Sequence, residues 1–298
     1  MKKMLFIMNP YSGKRRANKY LVEILEMFNR AGYRVTVHMT AGQGDATEVA
    51  RAMGAEMDIV VCCGGDGTFN ETVAGVMQCG REVPVGYIPA GSTNDFAASL
   101  KLPTEPLEAA QEIVEGEPVA YDAGSFCGRF FSYVASFGAF TRTSYTTPQS
   151  IKNALGHTAY VLSGISELSQ IRPEHIRMEI NGETVEDDFL FGAICNSTSV
   201  GGILTLDPKQ VDMADGKLEV LLVRSPKSLI ELTECIAAVQ SQQYNNCEMI
   251  TFRSGSEIRI TADPNMPWTL DGEREDGHRE IRVVNNHLAY RLVQKRRD

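Results

Sequence analysis

Five apolar residues in a row, Met4-Leu5-Phe6-Ile7-Met8, stop at Asn9-Pro10. An unbroken run ended by a turn signal predicts a strand covered on both faces. From about Ala17 to Ala31 the period changes. Leu21, Ile24, Leu25 and Phe28 fall on one side of a helix, and Gly32 stops it. Val35 and Val37 then alternate with Thr36 and His38 as a second strand, and Asp45 is placed to cap a short helix through Met53. Ile59 to Cys63 and Val85 to Ile88 are two further apolar runs, the last ending at Pro89. Strands alternating with helices predict a mainly parallel, layered α/β sheet over roughly the first 120 residues.

After about Asp122 the texture changes. Short runs dominate: Arg177 to Ile180, Phe189 to Asn196, Leu218 to Val223, Met249 to Phe252, Ile258 to Thr261 and Ile281 to Val284. Several alternate apolar with polar, as in a half-exposed antiparallel sheet. Helical stretches interrupt them at about Ala154 to Leu168 and Ser228 to Val239. This half reads as a β-rich second domain, a sandwich, with the junction near Val119 to Ser125.

Charge and cysteines narrow the class. A net charge of −9 and the lack of a basic, aromatic-interleaved segment argue against a nucleic-acid partner. The basic clusters Lys14-Arg15-Arg16 and Lys295-Arg296-Arg297 read as solvated faces, although the first follows a glycine-bearing turn that suits a phosphate. Seven cysteines form no C-x-x-C pair, which argues against a disulfide framework or a zinc site and fits a reducing, cytoplasmic compartment. The apolar run from Met4 to Met8 is too short for a signal-peptide core, and no stretch reaches the roughly 18 apolar residues of a membrane span.

The chemistry concentrates at strand ends. Cys62-Cys63-Gly64-Gly65-Asp66-Gly67-Thr68-Phe69-Asn70-Glu71 carries a buried strand into glycines and then a helix. Glycines let a phosphate approach the backbone, and the helix start offers unpaired N–H groups. The segment is neither a Walker A loop nor the spaced G-x-G-x-x-G. A ligand-free tight turn is the alternative. Asn9-Pro10-Tyr11-Ser12-Gly13-Lys14 and Pro89-Ala90-Gly91-Ser92-Thr93-Asn94-Asp95-Phe96-Ala97 also follow strands. Three such loops at the carboxyl edge of one sheet make a polyphosphate site plausible.

These three segments together resemble the catalytic domain of the bacterial diacylglycerol kinase and lipid kinase family, related to diacylglycerol, sphingosine and ceramide kinases. NAD kinases and phosphofructokinases share Gly-Gly-Asp-Gly more distantly and lack Asn-Asp-Phe-Ala. The resemblance runs the length of the chain. It implies an α/β nucleotide domain of the NAD kinase and phosphofructokinase kind, followed by a β-sandwich domain. It also implies that the final segment returns to the first domain, giving 1–124 with 287–298, and 125–286.

The resemblance places ATP against Asn9, Pro10, Tyr11, Ser12, Gly13 and Lys14, and against Gly65, Asp66, Gly67, Thr68, Phe69, Asn70 and Glu71, with Thr40 and Ser92. The family usually has Thr where this chain has Ser92. It makes Glu273, in Trp268-Thr269-Leu270-Asp271-Gly272-Glu273, the catalytic acid. Asp212-Met213-Ala214-Asp215-Gly216-Lys217 resembles a structural Mg²⁺ loop, with Asp215 giving a carboxylate and Asp212 and Lys217 giving carbonyls. Relatives are often apolar where Asp212 stands, so a second carboxylate ligand is open. Asp66, supported by Asp95, would hold a catalytic Mg²⁺. Without the resemblance, Asp271-Gly272 and the 212–217 segment read as β-turns. Asp122 matches an acid of the metal network, and His157 a basic position or simply a surface histidine. The implied activity is transfer of the ATP γ-phosphoryl to a lipid hydroxyl, diacylglycerol or a relative, by a protein peripheral to the inner membrane surface. A kinase for a soluble alcohol and a non-catalytic nucleotide or lipid sensor are the alternatives. A homodimer is an ordinary expectation for a soluble enzyme.

Overall fold

The computed structural model describes residues 1–13, 17–138, 172–200 and 204–296. Lys14, Arg15, Arg16, His157, Arg297 and the helix expected at Ala154 to Leu168 lie outside the described residues. The chain divides into two compact units, Met1–Ala123 with Asn286–Asp298, and Gly124–Asn285.

The first unit is a parallel sheet. Strands β1 (Lys2–Met8), β2 (Tyr33–Met39), β3 (Ile59–Gly64) and β4 (Val85–Pro89) lie in the order β2-β1-β3-β4. The end of a long strand, Glu280–Gln294, adds beside β4 through Leu292 and Val85. Every residue of β3 and β4 is buried, as their unbroken apolar runs predict. Among the described residues edge strand β2 pairs with β1 alone, and its expected alternation slips at Thr36 and Val37, leaving Val37 and Met39 exposed and His38 half-buried. Helix α1 (Leu21–Arg30) sets Ile24 and Phe28 on Met4, Phe6 and Ile59, with Ala109, Ala110 and Ile113 in the same core. Three further helices follow strand ends: α2 (Asp45–Met53), α3 (Asp66–Met77) and α4 (Asp95–Ser99). Helix α5 (Pro106–Glu115), with Pro106 in its first turn, carries Ala109 to Ile113; its apolar pattern is short, and no helix was expected there.

Asp45 departs from its expected role. Gly44, at φ 85°, precedes the helix, and Asp45 is its first residue. Its carboxylate instead accepts the Ala41 N–H at 2.7 Å and meets His38 Nε2 at 3.1 Å.

The second unit is antiparallel. Strands β5 (Glu117–Phe126), β6 (Arg129–Phe131), β7 (Val134–Gly138), β8 (Glu174–Ile180), β9 (Glu183–Cys195), the short pair β10 (Ser199–Val200) and β11 (Leu204–Thr205), β12 (Leu218–Arg224), β13 (Ile250–Gly255), β14 (Glu257–Thr261), β15 (Trp268–Leu270), β16 (Glu273–Glu275) and β17 (Glu280–Gln294) follow in order. β5 and β17 run from one unit into the other. The thirteen-residue β9 organises this unit. Its first part pairs with β8 and its second with β7 and β12. Phe189, Ile176, Ile194, Leu222, Ile260 and Trp268 thereby share one core. Helix α6 (Leu229–Gln240) starts where Ser228 caps it by accepting the Glu231 N–H. No helix among the described residues is long and apolar enough to cross a membrane.

Candidate active site

The carboxyl edge of the first sheet is built from three interlocked loops. After β1, Asn9 donates its N–H to Cys63 O at 2.9 Å and its side-chain Nδ2 to Thr68 Oγ1 at 3.2 Å. Asn9 Oδ1 accepts the Tyr11 N–H, and Ser12 Oγ accepts the Gly65 N–H at 3.2 Å. Gly13 takes φ 49°, and a Cβ there would stand 2.5 Å from Ala90 O. The third loop presses on the second: a Cβ on Gly91 would meet Gly65 Cα at 2.8 Å. Bare backbone at both positions lets the loops touch. Asn94, at φ 54°, accepts the Gly91 N–H on Oδ1 and starts α4.

Asp66 ties this cluster together. It is 9% exposed, and its two oxygens accept the N–H groups of Asp95 (3.1 Å) and Phe96 (3.3 Å). Burial pushes its carboxyl up, the two amide donors and the Tyr87 hydroxyl pull it down, and the Asp95 charge pushes it up again. The outcome is upward: burial disfavours its ionised form. Asp95 is buried as well. Glu71, expected beside ATP, accepts the Gly44 N–H at 2.8 Å, while its carbonyl takes the Thr47 hydroxyl. It therefore fixes the loop after buried Thr40. Asn70 and Thr68 are buried, whereas Tyr11, Gly13 and Ser92 are exposed and Pro10, Ser12, Gly65 and Gly67 half-buried. Phe69 lies behind the loop. Its ring is fully buried, 4.5 Å from both Tyr87 and Phe96, and its N–H is spent on Gly65 O. The loop can present N–H groups at the start of α3 to an anion without Phe69. Burial raises the thiols of Cys62 and Cys63, the latter to about 12, so neither is a nucleophile here.

In the second unit Glu273 opens β16. Asp271 (φ 49°) and Gly272 (φ 85°) form the hairpin turn between β15 and β16, both left-handed as such a turn requires. The turn has an anchor that sequence reasoning missed. The Asp271 carboxylate is 4% exposed and accepts three backbone N–H groups, from Ser132 (2.6 Å), Tyr133 (3.0 Å) and Val134 (2.9 Å). The Asp271 N–H in turn donates to Val134 O. Glu273 pairs with Arg129, whose Nη2 stands 2.7 Å from Oε2. Asp-Gly signals the turn; nothing in the sequence signals Arg129.

The 212–217 segment is a pair of tight turns. Asp212 Oδ1 accepts the Ala214 N–H and Asp215 Oδ1 the Lys217 N–H. Lys217 O accepts from Asn285 Nδ2, and its Nζ lies 3.7 Å from Asp215. Among the described residues no three His, Cys, Asp or Glu side chains gather closely enough to hold a metal ion. A cation here would need main-chain oxygens. Glu219, also missed from sequence, is 1% exposed and has one oxygen, Oε2, without a hydrogen-bond partner. Burial first, then the charges of Asp215 and Asp212, push it up to about 8. Asp122 is fully buried in the first unit and accepts the Leu288 N–H at 2.7 Å, beside His287 Nδ1 at 3.0 Å.

Residues 3–126 match the diacylglycerol kinase catalytic domain, and residues 134–287 the YegS C-terminal NAD kinase beta sandwich-like domain. The diacylglycerol kinase of Bacillus subtilis (strain 168) is 32% identical over 275 residues, 92% of this chain and 90% of that one. That of Staphylococcus carnosus (strain TM300) is 30% identical over 273 residues, 91% and 89% of the two chains. A crystal structure of a diacylglycerol kinase from Bacillus anthracis str. Sterne shares the fold at a TM-score of 0.75 and 20% identity, covering 99% of this chain and 97% of that one. Another chain from the same organism reaches a TM-score of 0.81 at 23% identity, with the same coverage. With its catalytic and sandwich domains both matched and about a third of its residues shared along nine-tenths of its length, the chain belongs to the bacterial diacylglycerol kinase and lipid kinase family.

Proposed function

We propose that this protein transfers the γ-phosphoryl of ATP to the hydroxyl of diacylglycerol or a closely related lipid. The observation that carries the nucleotide half is the Gly65–Gly91 backbone approach, with Asp66 tying both loops to one edge. Together with Asn9 and Ser12, this builds a cradle of backbone and small side chains at a helix start. Such a surface suits phosphate oxygens, and phosphoryl transfer depends mainly on positioning and charge neutralisation.

In this reading the residues from Asn9 to Gly13 and Gly65 to Asn70 bind and orient the triphosphate, with Thr40 and Ser92 at its margins. Glu71 acts indirectly by holding the 41–44 loop. Glu273 accepts the proton of the lipid hydroxyl, a role worth about 10²–10⁴-fold. Two places fit Mg²⁺ by their chemistry: buried Asp66 with buried Asp95 beside it, and the Asp212, Asp215 and Lys217 loop, where buried Glu219 has an unpartnered oxygen and feels the charges of Asp215 and Asp212. Hard oxygen donors suit that ion. When bound, Mg²⁺ would neutralise phosphate charge at the first place and brace the turns at the second. The lipid is reached at the membrane surface by a peripheral encounter.

The test is incubation with labelled ATP and a panel of diacylglycerol, other hydroxyl lipids and soluble alcohols. Label is expected in the diacylglycerol product, with loss on chelation by EDTA and on Glu273→Gln. Label passing only to a soluble alcohol, or to nothing, would sink the lipid assignment.

A further inference from the structure

Asn94 serves two loops at once. Its side chain grips Gly91: the Gly91 N–H donates to Oδ1 at 2.8 Å, and Nδ2 makes a longer contact with Gly91 O at 3.4 Å. A backbone N–H can only donate, which fixes the nearer atom as the oxygen. The main chain of Asn94 serves Asp66. Asn94 is left-handed, at φ 54° and ψ 48°, and its carbonyl accepts the Ala98 N–H at 2.9 Å to open α4. That twist sets the direction of the next two amides, those of Asp95 and Phe96, which donate to the Asp66 oxygens. Glycine, asparagine and aspartate enter this backbone region most readily. Glycine has no side chain to hold Gly91, and aspartate accepts without donating and adds a charge next to Asp66 and Asp95. Asparagine does both jobs.

The grip falls where the two loops touch. One residue earlier, the Ala90 N–H donates to Gly64 O at 2.7 Å, which continues the pairing of β3 with β4. Beyond it Gly91 passes Gly65 with bare backbone: a Cβ on Gly91 would stand 2.8 Å from Gly65 Cα and 2.8 Å from Asn94 Oδ1. Glycine permits that approach but does not enforce it, because it has the most backbone freedom to lose. The hold from Asn94, three residues on, removes that freedom.

We propose that Asn94 is a positioning residue for the nucleotide: its side chain fixes the Gly91 backbone against Gly65, so that the two loops are set for the phosphates before ATP arrives. This rests on the reading of that edge as the nucleotide site. A loop already held in its binding shape loses little freedom when the ligand binds, and the saving appears as affinity. The hold is the same in the ground state and the transition state, so its loss raises KM for ATP and leaves kcat at saturating ATP nearly unmoved.

The experiment compares wild type with N94G, N94A, G91A and G91A/N94G. It measures the dissociation constant of ADP by calorimetry in the presence of Mg²⁺, well below each melting temperature, together with kcat, KM for ATP, KM for diacylglycerol and the melting temperature itself. N94G keeps the left-handed backbone and loses the grip. Its KM for ATP and its ADP dissociation constant are expected to rise about 10-fold, with KM for diacylglycerol unchanged and kcat within about threefold of the parent. N94A shows the same rise and melts lower than N94G, since a Cβ disfavours the left-handed region. G91A pries the loops apart and weakens ADP at least as much as N94G does. Because Asn94 acts through Gly91, the double variant binds ADP no more weakly than G91A. Parental ADP affinity in N94G overturns this proposal alone, and a defect confined to the melting temperature makes Asn94 a helix cap and nothing more. A loss in the double variant equal to the product of the two single losses overturns it too. Wild type that binds no ADP overturns the nucleotide reading and this proposal with it. Wild type that binds ADP but labels no lipid overturns the lipid assignment, and the ADP titrations still decide the role of Asn94. Should N94G fail to fold, G91A decides: parental ADP affinity there shows that the spacing of the two loops is irrelevant to the nucleotide and overturns the proposal.

Discussion

The carboxyl edge of the first unit's sheet and the Glu273 hairpin of the second solve one problem with different parts. Each must hold irregular backbone in a fixed place. The first unit uses an aspartate at a strand-to-helix junction, Asp66, which reaches across to two amides of the neighbouring loop. The second uses an aspartate inside a turn, Asp271, which reaches three amides of the segment before β7. A third clasp, Asp45, holds a single amide at the rim of the first unit. The carboxylates grade from three amides to one, and from 4% exposed at Asp271 to a half-buried Asp45. The difference teaches that a carboxylate's value as a clasp depends on how many donors it satisfies and how dry they are, not on its closeness to chemistry.

The sharpest way to break this comparison is at Asp271. In Asp271→Ala three inward-facing amides lose their acceptor. Each such group costs about 1–3 kcal/mol and the three are not additive, so about 3–5 kcal/mol of stability should go. Urea unfolding of the purified variant measures it. Asp271→Asn keeps one carbonyl oxygen and should lose about half as much. A loss below 1 kcal/mol in Asp271→Ala would show that the turn is held by its φ values and strand pairing instead.

Asp66 comes next, and here stability and activity should separate. Asp66→Ala strands two amides, for about 2–4 kcal/mol, and should abolish transfer. Asp66→Asn keeps an acceptor and removes a buried charge whose ionisation burial opposes. It should be as stable as the parent at neutral pH and still inactive. The sign follows from linkage: a carboxyl raised in the folded state gives stability at low pH that is lost as pH rises through its folded value. If Asp66→Asn kept wild-type turnover, the charge would have no catalytic use and Asp66 would be a clasp only.

How much of this was legible in the sequence follows from range. The parallel sheet, its order of strand and helix, and the three loops are written in apolar runs and glycines, which act locally. Asp66 stands out because its neighbours are glycines. Asp271 was visible only as a turn residue, since its partners Ser132 to Val134 lie over a hundred residues away. Arg129 and Glu219 were invisible for the same reason: one charged residue in a strand carries no pattern until pairing across the sheet supplies its neighbours. The length of β9 was missed because Glu183 to Asp188 alternates with acids, and the helix α5 because two alanines carry its face. Asp45 was misassigned because Gly44, one residue earlier, occupies the cap position and makes Asp45 the first helical residue.

Asp45 should give the smallest effect of the three, and its pH dependence isolates it. The Ala41 amide first, then His38, hold its carboxyl below the ordinary value. A folded-state pKa that is depressed gives stability present above the unfolded value and lost as pH falls through the folded one. Wild type should therefore exceed Asp45→Asn in urea midpoint at pH 6, and the gap should close toward pH 3. One amide at a half-exposed site makes the gap small, on the order of 1 kcal/mol or less. His38 sharpens the reading: His38→Ala removes the second partner that holds the carboxyl down and should narrow the gap. A gap that stayed constant down to pH 3 would mean that Asn replaces Asp45 through its shape, and that the charge on this outermost clasp contributes nothing.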